Sequence, residues 1–361
     1  MKKKYMFVIP TLTTGGAERV VSVLATALAK CDQNVIIAKY YGADNEYRTG
    51  DNVTQINIFG NNRSSYENLS YLQKIRKLRE TIKTNKPDYV IPFMFQVAQG
   101  TDLAVKGLKT KVFQSMRIDP ATSPKSRVQR ILRDHLVYKA KCTFVQNEAQ
   151  RSYFKESARR KIHVLYNPVS DELFDIEPRF QNKKFTIVSV GRLEKQKNFK
   201  LLIDSFDRAF PDNNDVILQI YGEGSQKDKL EEHIATKKSA HRISLMGRSN
   251  DIAHVYEHSD LFVLSSDFEG MPNALIEAMA CGLPCISTDC PTGPSDLIEN
   301  EKNGLLVPIG DVEQMTIALQ EMFQRRQTGW QMGIIARETV KKKCKAESIA
   351  RKMIQICESI K

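Results

Sequence analysis

Strand-like apolar runs alternate with helix-like segments along this chain, and the alternation runs twice. In the first half YMFVIP (5–10) leads into TLTTGGAERVVSVLATALAK, where Gly15 and Gly16 open a helix of period 3.6 that continues to Lys30. NVIIAKY (34–40), DYVIPFMF (88–95), KVFQSM (111–116) and CTFVQN (142–147) supply further strands. KFTIVSVG (184–191) restarts the pattern, followed by the helix FKLLIDSFDRAF and by DVILQIYGEG (215–224), RISLMG (242–247), DLFVLSS (260–266) and LPCISTD (283–289). Strands alternating with helices build parallel sheets covered by helices, so the pattern predicts an α/β chain of two Rossmann-like, doubly wound parallel-sheet domains. The 361 residues suffice for two cores. The seam falls in HVLYNPVSDELFD, where Asn167-Pro168 breaks the periodicity and the polar stretch EPRFQNKK precedes the new strand, giving domains 1–168 and 169–345. Ligands of open parallel sheets sit beyond the C-terminal ends of the strands, so both domains are expected to face one cleft.

Composition is that of an ordinary soluble globular protein, with 41% hydrophobic and 27% charged residues. The longest apolar runs fall short of a membrane span, and MKKKYMFVIPTLTTGG reads as a first buried strand rather than a signal peptide. The seven cysteines are odd in number and dispersed, which suits a reducing cytoplasm; Cys281, Cys285 and Cys290 lack a nearby histidine and read as buried small hydrophobes rather than a zinc site. The net charge of +12 is divided unevenly: residues 1–168 hold 29 Lys and Arg against 13 Asp and Glu, and the remainder 25 against 29. The first domain therefore suits an acidic partner: nucleic acid, a membrane surface or a phosphorylated substrate. In PKSRVQRILRDHLVYKAK (124–141) Val128, Ile131, Leu132 and Leu136 recur at helical spacing among Lys125, Arg127, Arg130 and Arg133. Such a helix either lies on anionic lipid or packs on its own domain with a solvated basic face.

The chemistry concentrates in SSDFEGMPNALIEAMACGLPCISTD (265–289). Pro272 suits a helix start, Gly282 and Pro284 end it, and Ala274, Leu275, Ala278 and Met279 give it an apolar face, so Glu277 points inward one turn from the start. Glu269 precedes that start, where the unpaired N–H groups of Gly270, Met271, Asn273 and Ala274 concentrate positive charge and favour a phosphate. Gly191-Arg192 and Lys197, after KFTIVSVG, combine a rigid donor fork with a point charge, a combination suited to a diphosphate, the alternative being a solvated basic loop. Gly222 and Gly224, closing IYGEG, permit close backbone approach to a ligand.

The succession GGAERVV, VGRLEKQKN, IYGEG, LMGR, EGMPNALIEAMACGLPCIST and NGLLVP resembles the family 4 retaining glycosyltransferases of the two-Rossmann GT-B fold, whose E-x7-E signature Glu269 and Glu277 would form. It spans nearly the whole chain. The resemblance implies a hexosyltransferase that moves a sugar from a nucleotide-sugar donor, a UDP-sugar, to a lipid-linked saccharide in bacterial surface polysaccharide synthesis, capsule included. Arg192 and Lys197 would grip the donor diphosphate, Glu277 the ribose hydroxyls and Glu269 the donor sugar. The N–H groups at Met271 to Ala274 would meet sugar or phosphate oxygens, Gly15 and Gly16 would close over the diphosphate, and Gly247 and Arg248 would seat the base. With cations and a helix end to hold the leaving charge, no metal or cofactor is implied, and no Asp-x-Asp triplet is present. Many relatives carry a histidine in the first domain; here that half has only His135 and His163, and Arg117 in QSMRIDP stands closest to the expected place, as an acceptor or leaving-phosphate group or as a structural residue. The resemblance also suggests that AESIARKMIQICESI (346–360) packs on the first domain, a dimer contact being the alternative. The enzyme would be cytoplasmic, peripherally attached to the inner membrane face, with no nucleic-acid partner. A soluble or protein acceptor, or a non-catalytic nucleotide-sugar-binding partner of another transferase, are the competing readings.

Overall fold

The computed structural model describes residues 2–13, 15–177 and 184–360. Most of EPRFQNKK lies outside them. The chain divides into two compact units, Met1–Pro168 with Cys344–Lys361, and Val169–Lys343.

The first unit contains β1 (Lys4–Ile9), β2 (Asn34–Lys39), β3 (Val53–Asn57), β4 (Tyr89–Pro92), β5 (Lys111–Ser115), β6 (Cys142–Val145) and β7 (Ile162–Val164), a parallel sheet in the order β3-β2-β1-β4-β5-β6-β7. β1 is a continuous apolar run because both its faces are covered, as parallel sheets require. Tyr5, Phe7 and Ile9 join one core with Val20, Val21, Leu24 and Leu28 of the helix Gly16–Lys30, while Met6 and Val8 join a second core with Leu78 and Ile82 of the helix Tyr71–Asn85. Ile349, Ala350, Met353 and Cys357 of the helix Ala346–Ser359 complete the first of these cores, and the Tyr89 hydroxyl donates to the Cys357 carbonyl at 3.0 Å.

The second unit contains β8 (Phe185–Val190), β9 (Val216–Tyr221), β10 (Ile243–Gly247), β11 (Leu261–Leu264), β12 (Cys285–Thr288) and β13 (Leu305–Val307), again parallel, in the order β10-β9-β8-β11-β12-β13. The helix Phe199–Ala209 buries Phe199, Leu202, Ile203 and Phe206 on one face against β8 and β9. Each sheet reverses its order once, between β1 and β4 and between β8 and β11, and those reversals mark where ligands enter such folds.

The structure departs from the sequence pattern at three places. The run DYVIPFMF is strand only to Pro92; Phe93 keeps an isolated bridge to Ser115, and a helix Phe95–Ala104 begins immediately. β3, β7 and β13 are strands that the apolar runs do not predict. The helix Arg127–Lys139 is inverted relative to a simple packed amphipath: Val128, Ile131 and Leu132 are 66%, 63% and 47% exposed, whereas Arg133 is buried. Arg133 donates to the carbonyls of Pro120 and Ser123 and to the Asp134 carboxylate. It therefore anchors the helix from beneath instead of joining the exposed cations.

Candidate active site

The reversal point of the second sheet brings together two loops that sequence places far apart. The loop after β8 carries Gly191, Arg192 and the short 3-10 turn Lys195–Lys197; the loop after β11 carries Ser265 to Pro272. They are zipped by the Asp267 N–H donating to the Gln196 carbonyl at 2.9 Å, Gln196 Nε2 to the Phe268 carbonyl at 2.8 Å, Ser265 Oγ to the Lys197 carbonyl at 2.8 Å, and Asn198 Nδ2 to Asp267 Oδ1 at 2.7 Å. Asn198, at φ 43°, also caps the helix Phe199–Ala209 through Leu201 N–H.

At the centre, Lys197 Nζ lies 2.6 Å from Glu269 Oε1, with the two side chains 13% and 8% exposed. Ser266 Oγ donates to the same oxygen at 2.7 Å, and Thr292 donates to the Glu269 backbone carbonyl. A pair so enclosed gains little net stability, because desolvation offsets its attraction, but removing one partner leaves an uncompensated charge costing about 3–5 kcal/mol. The ammonium retains donors beyond the one given to Glu269, and a carboxylate accepts at two oxygens, so the pair can hold a phosphate and a hydroxyl side by side. Arg192, on the same loop as Lys197, is exposed.

Glu269 leads through Gly270, Met271 and Pro272 into the helix Asn273–Ala280, whose N-terminal N–H groups face this loop. Glu277, 6% exposed, lies one turn in, as its helical spacing predicts. The Tyr256 hydroxyl donates to the Ala274 carbonyl at 3.3 Å and stands 3.5 Å from Glu277 Oε2. Thus Lys197, Glu269, the turn at Gly270 to Ala274 and Glu277 belong to one locale in the second unit.

The glycines have packing reasons of their own. A Cβ on Gly222, at φ +145°, would stand 1.8 Å from the Gly191 carbonyl oxygen, and one on Gly224 2.5 Å from the Leu193 carbonyl oxygen. Backbone packing between the loops after β8 and β9 by itself requires a glycine at both positions. Gly191 itself accommodates the stem of Lys197, whose Cε would lie 2.9 Å from an added Cβ. Gly247 has φ +68° and open space around it, and Arg248 beside it is exposed. Gly293, missed in the sequence, packs on the turn: its Cβ would meet Pro272 Cδ at 2.7 Å and the Gly270 carbonyl oxygen at 3.0 Å. Ser266, Thr292 and Gly293 carry no sequence signal beyond adjacency to strand ends.

In the first unit, Gly15 and Gly16 stand where β1 feeds its helix, at that sheet's reversal point. The buried Glu18 carboxylate lies over Gly15, its Oε2 2.2 Å from where a Cβ would be, so an acidic group borders the helix start where the resemblance puts a diphosphate. Arg117 follows β5. Its guanidinium donates to Ser115 Oγ at 2.9 Å and Asn167 Oδ1 at 3.0 Å and lies 5.1 Å from the centre of the Phe93 ring. No carboxylate among the described residues pairs with it, and burial lowers its pKa to about 10, leaving it charged at neutral pH. Met94, beside Phe93, has φ 76° and ψ 145°, a region that L side chains rarely occupy and a strain signal invisible in sequence. His163 is inside β7, where burial, then Arg151 and Lys352, push its pKa down; His135 is exposed on the helix Arg127–Lys139.

Comparison with known proteins gives matches along the chain. The family described as Glycosyltransferase Family 4 matches residues 14–173, and Glycosyl transferases group 1 matches residues 170–339. An uncharacterized glycosyltransferase of Haemophilus influenzae is 28% identical over 92% of this chain and 93% of its own. A Campylobacter jejuni relative, GalNAc-alpha-(1->4)-GalNAc-alpha-(1->3)-diNAcBac-PP-undecaprenol alpha-1,4-N-acetyl-D-galactosaminyltransferase, is 29% identical over 85% of each chain. The solved structure of Anabaena HepE in complex with UDP is similar at a TM-score of 0.80, with 16% identity over 99% of this chain and 100% of that one. The two-sheet architecture is that of the GT-B glycosyltransferases.

Proposed function

Because the chain belongs to the glycosyltransferases that join a family 4 domain to a group 1 domain, we propose that it moves one sugar, with retention at the anomeric carbon, from a UDP-sugar to a lipid-linked saccharide during synthesis of a bacterial surface glycan. The contact of Lys197 with Glu269 at the sheet reversal carries this reading. Lys197 and Arg192 hold the donor diphosphate, Glu269 holds hydroxyls of the donor sugar, Glu277 the ribose, and the N–H groups from Met271 to Ala274 the oxygens between them. Gly247 and Arg248 border the base.

The acceptor hydroxyl forms the new bond to the anomeric carbon on the face from which the diphosphate departs, and its proton passes to the leaving phosphate. Charge grows on that phosphate in the transition state, so fixed cations and the helix N-terminus favour the transition state over the bound substrate. The same groups serve without a metal ion. Arg117, half-buried and lacking a carboxylate partner among the described residues, supports the acceptor or the departing phosphate.

The relative from Campylobacter jejuni acts, by its name, on an undecaprenyl-diphosphate saccharide, and HepE was solved with UDP; the first favours a lipid-linked acceptor and the second a UDP-sugar donor. A lipid-linked acceptor is also favoured by the helix Arg127–Lys139, which presents Val128, Ile131 and Leu132 beside the exposed Lys125 and Arg127. That combination suits docking on an anionic membrane, the basic residues adding at most about 1 kcal/mol each. No described helix is long and apolar enough to cross a membrane.

The test is nucleotide release from a panel of UDP- and GDP-sugars in EDTA, with and without a lipid-linked saccharide, comparing wild type with Lys197→Ala and Glu269→Ala. Acceptor-dependent release from a UDP-sugar, lost in both folded variants, is expected. Donor binding without release under any acceptor would favour a non-catalytic partner, and collapse of release in EDTA would overturn metal independence.

A further inference from the structure

Outside the donor locale, among the described residues, one group of three potential metal ligands comes together: His254, Glu257 and His258. They lie on and just after the helix Ile252–Glu257, between β10 and β11. Asp251 caps the helix by accepting from the His254 N–H at 3.0 Å, and Val255 and Tyr256 are buried. Positions 254, 257 and 258 have the i, i+3, i+4 spacing that places side chains on one face of a helix, and one ligand-type atom from each lies within 4.8 Å of the others.

His258 is oriented for ligation. Its Nδ1 stands 3.0 Å from the His254 carbonyl oxygen and 3.8 Å from Glu257 Oε2, so Nδ1 carries the proton and donates, and Nε2 is the nitrogen that bears the lone pair. Metal-binding histidines are commonly fixed in this way by a backbone carbonyl. The two imidazole rings lie with centroids 4.1 Å apart, so both histidines stand side by side on the face that carries Glu257. The roughly 2.0–2.1 Å bonds of zinc require the side chains to draw closer than they stand here, and His254 is exposed and Glu257 half-buried, with room to rotate toward His258.

We propose that His254, Glu257 and His258 form a surface site for a zinc-class divalent ion, separate from the donor site. Two imidazoles and one carboxylate suit Zn2+, Co2+ or Ni2+, whereas Ca2+ and Mg2+ require oxygen ligands throughout. Three protein ligands leave a position for water. The six-residue helix is too short to be stable alone, and a chelate across one turn clamps it. That holds Tyr256, whose hydroxyl supports Ala274 and borders Glu277. The cysteines offer no competing cluster: burial pushes the Cys142 and Cys290 thiols up to about 12, and Cys285 and Cys357 higher still.

The experiment uses the full chain stripped by chelator. Co2+ is titrated with its visible absorption followed, and Zn2+ is titrated against a chromophoric competitor, for wild type, His254→Ala/His258→Ala and Glu257→Gln. One ion per wild-type chain is expected. The double histidine variant should bind at least about a hundredfold more weakly, above the 10–100-fold cost of losing only an outer-shell partner, and Glu257→Gln about tenfold more weakly. Zn2+ should raise the unfolding temperature of wild type and leave that of the double variant unmoved. Absence of binding to wild type, or equal binding by wild type and the folded double variant, would overturn the site. Undiminished binding by Glu257→Gln would overturn the three-ligand assignment.

Discussion

Lys197 and Glu269 are separated by 72 residues yet share an enclosed contact, and the glycines around them show how that contact is built. At Gly222, packing and ligand approach predict different outcomes for one substitution. Gly222→Ala forces a Cβ into the Gly191 carbonyl at a φ that disfavours side chains, so the second unit should lose about 2–5 kcal/mol in urea unfolding. Unchanged stability with weakened donor binding would restore the ligand reading. Asp204 supplies a pH-dependent prediction. Burial alone would raise its carboxyl, but hydrogen bonds from Lys237 and His233 win and hold it below the usual carboxylate range. A depressed folded pKa contributes stability that is present above the unfolded value of about 3.9 and is lost as pH falls through the folded value. Asp204→Asn should therefore be destabilising at pH 7, and its deficit against wild type should shrink below about pH 4; a deficit constant down to pH 2 would contradict this. Glu269, Glu277 and Lys197 were legible in the sequence because helical spacing and strand ends fix where they point. Ser266, Thr292 and Gly293 were not, since they act across other loops and their residue types are common throughout the chain.

At the scale of elements, long strands were legible and short or edge strands were not. β1 and β8 are buried on both faces and write continuous apolar runs, whereas β3, at the sheet edge, has one buried residue in VTQIN and no alternation to detect. β7 and β13, three residues each, are too brief for periodicity. The helix Arg127–Lys139 was legible as a helix, but its orientation was not: nothing in the spacing says that Arg133 turns inward with Val137 to cap carbonyls while Val128, Ile131 and Leu132 turn out. Its outward aliphatic face predicts a surface function instead of a fold function. Val128→Ser/Ile131→Ser should leave urea stability nearly unchanged while weakening flotation with anionic vesicles at least tenfold, about what losing one buried aliphatic side chain costs. Arg133→Ala, by contrast, should destabilise the first unit. Equal vesicle binding by wild type and the serine variant would remove this face from the membrane contact.

For the molecule as a whole, the informative fact is that one unit is discontinuous in sequence. The last helix, Ala346–Ser359, supplies Ile349, Ala350, Met353 and Cys357 to the core formed by β1 and the helix Gly16–Lys30, although more than three hundred residues of chain intervene. The first unit therefore cannot finish its core until Ala346–Ser359 has been made, while the second is continuous and can form before it. A charge placed in that late-arriving surface should separate the two. Met353→Asp, at a fully buried position, should cost the first unit about 3 kcal/mol or more, because the carboxylate is buried without a partner. Limited trypsin digestion in increasing urea should then cut first within residues 1–168, leaving a fragment of residues 169–343 resistant to the same concentration as in wild type. Cleavage spread equally over both units would mean that they open as one cooperative body, and the helix would then be a joint support for both instead of the closing piece of the first.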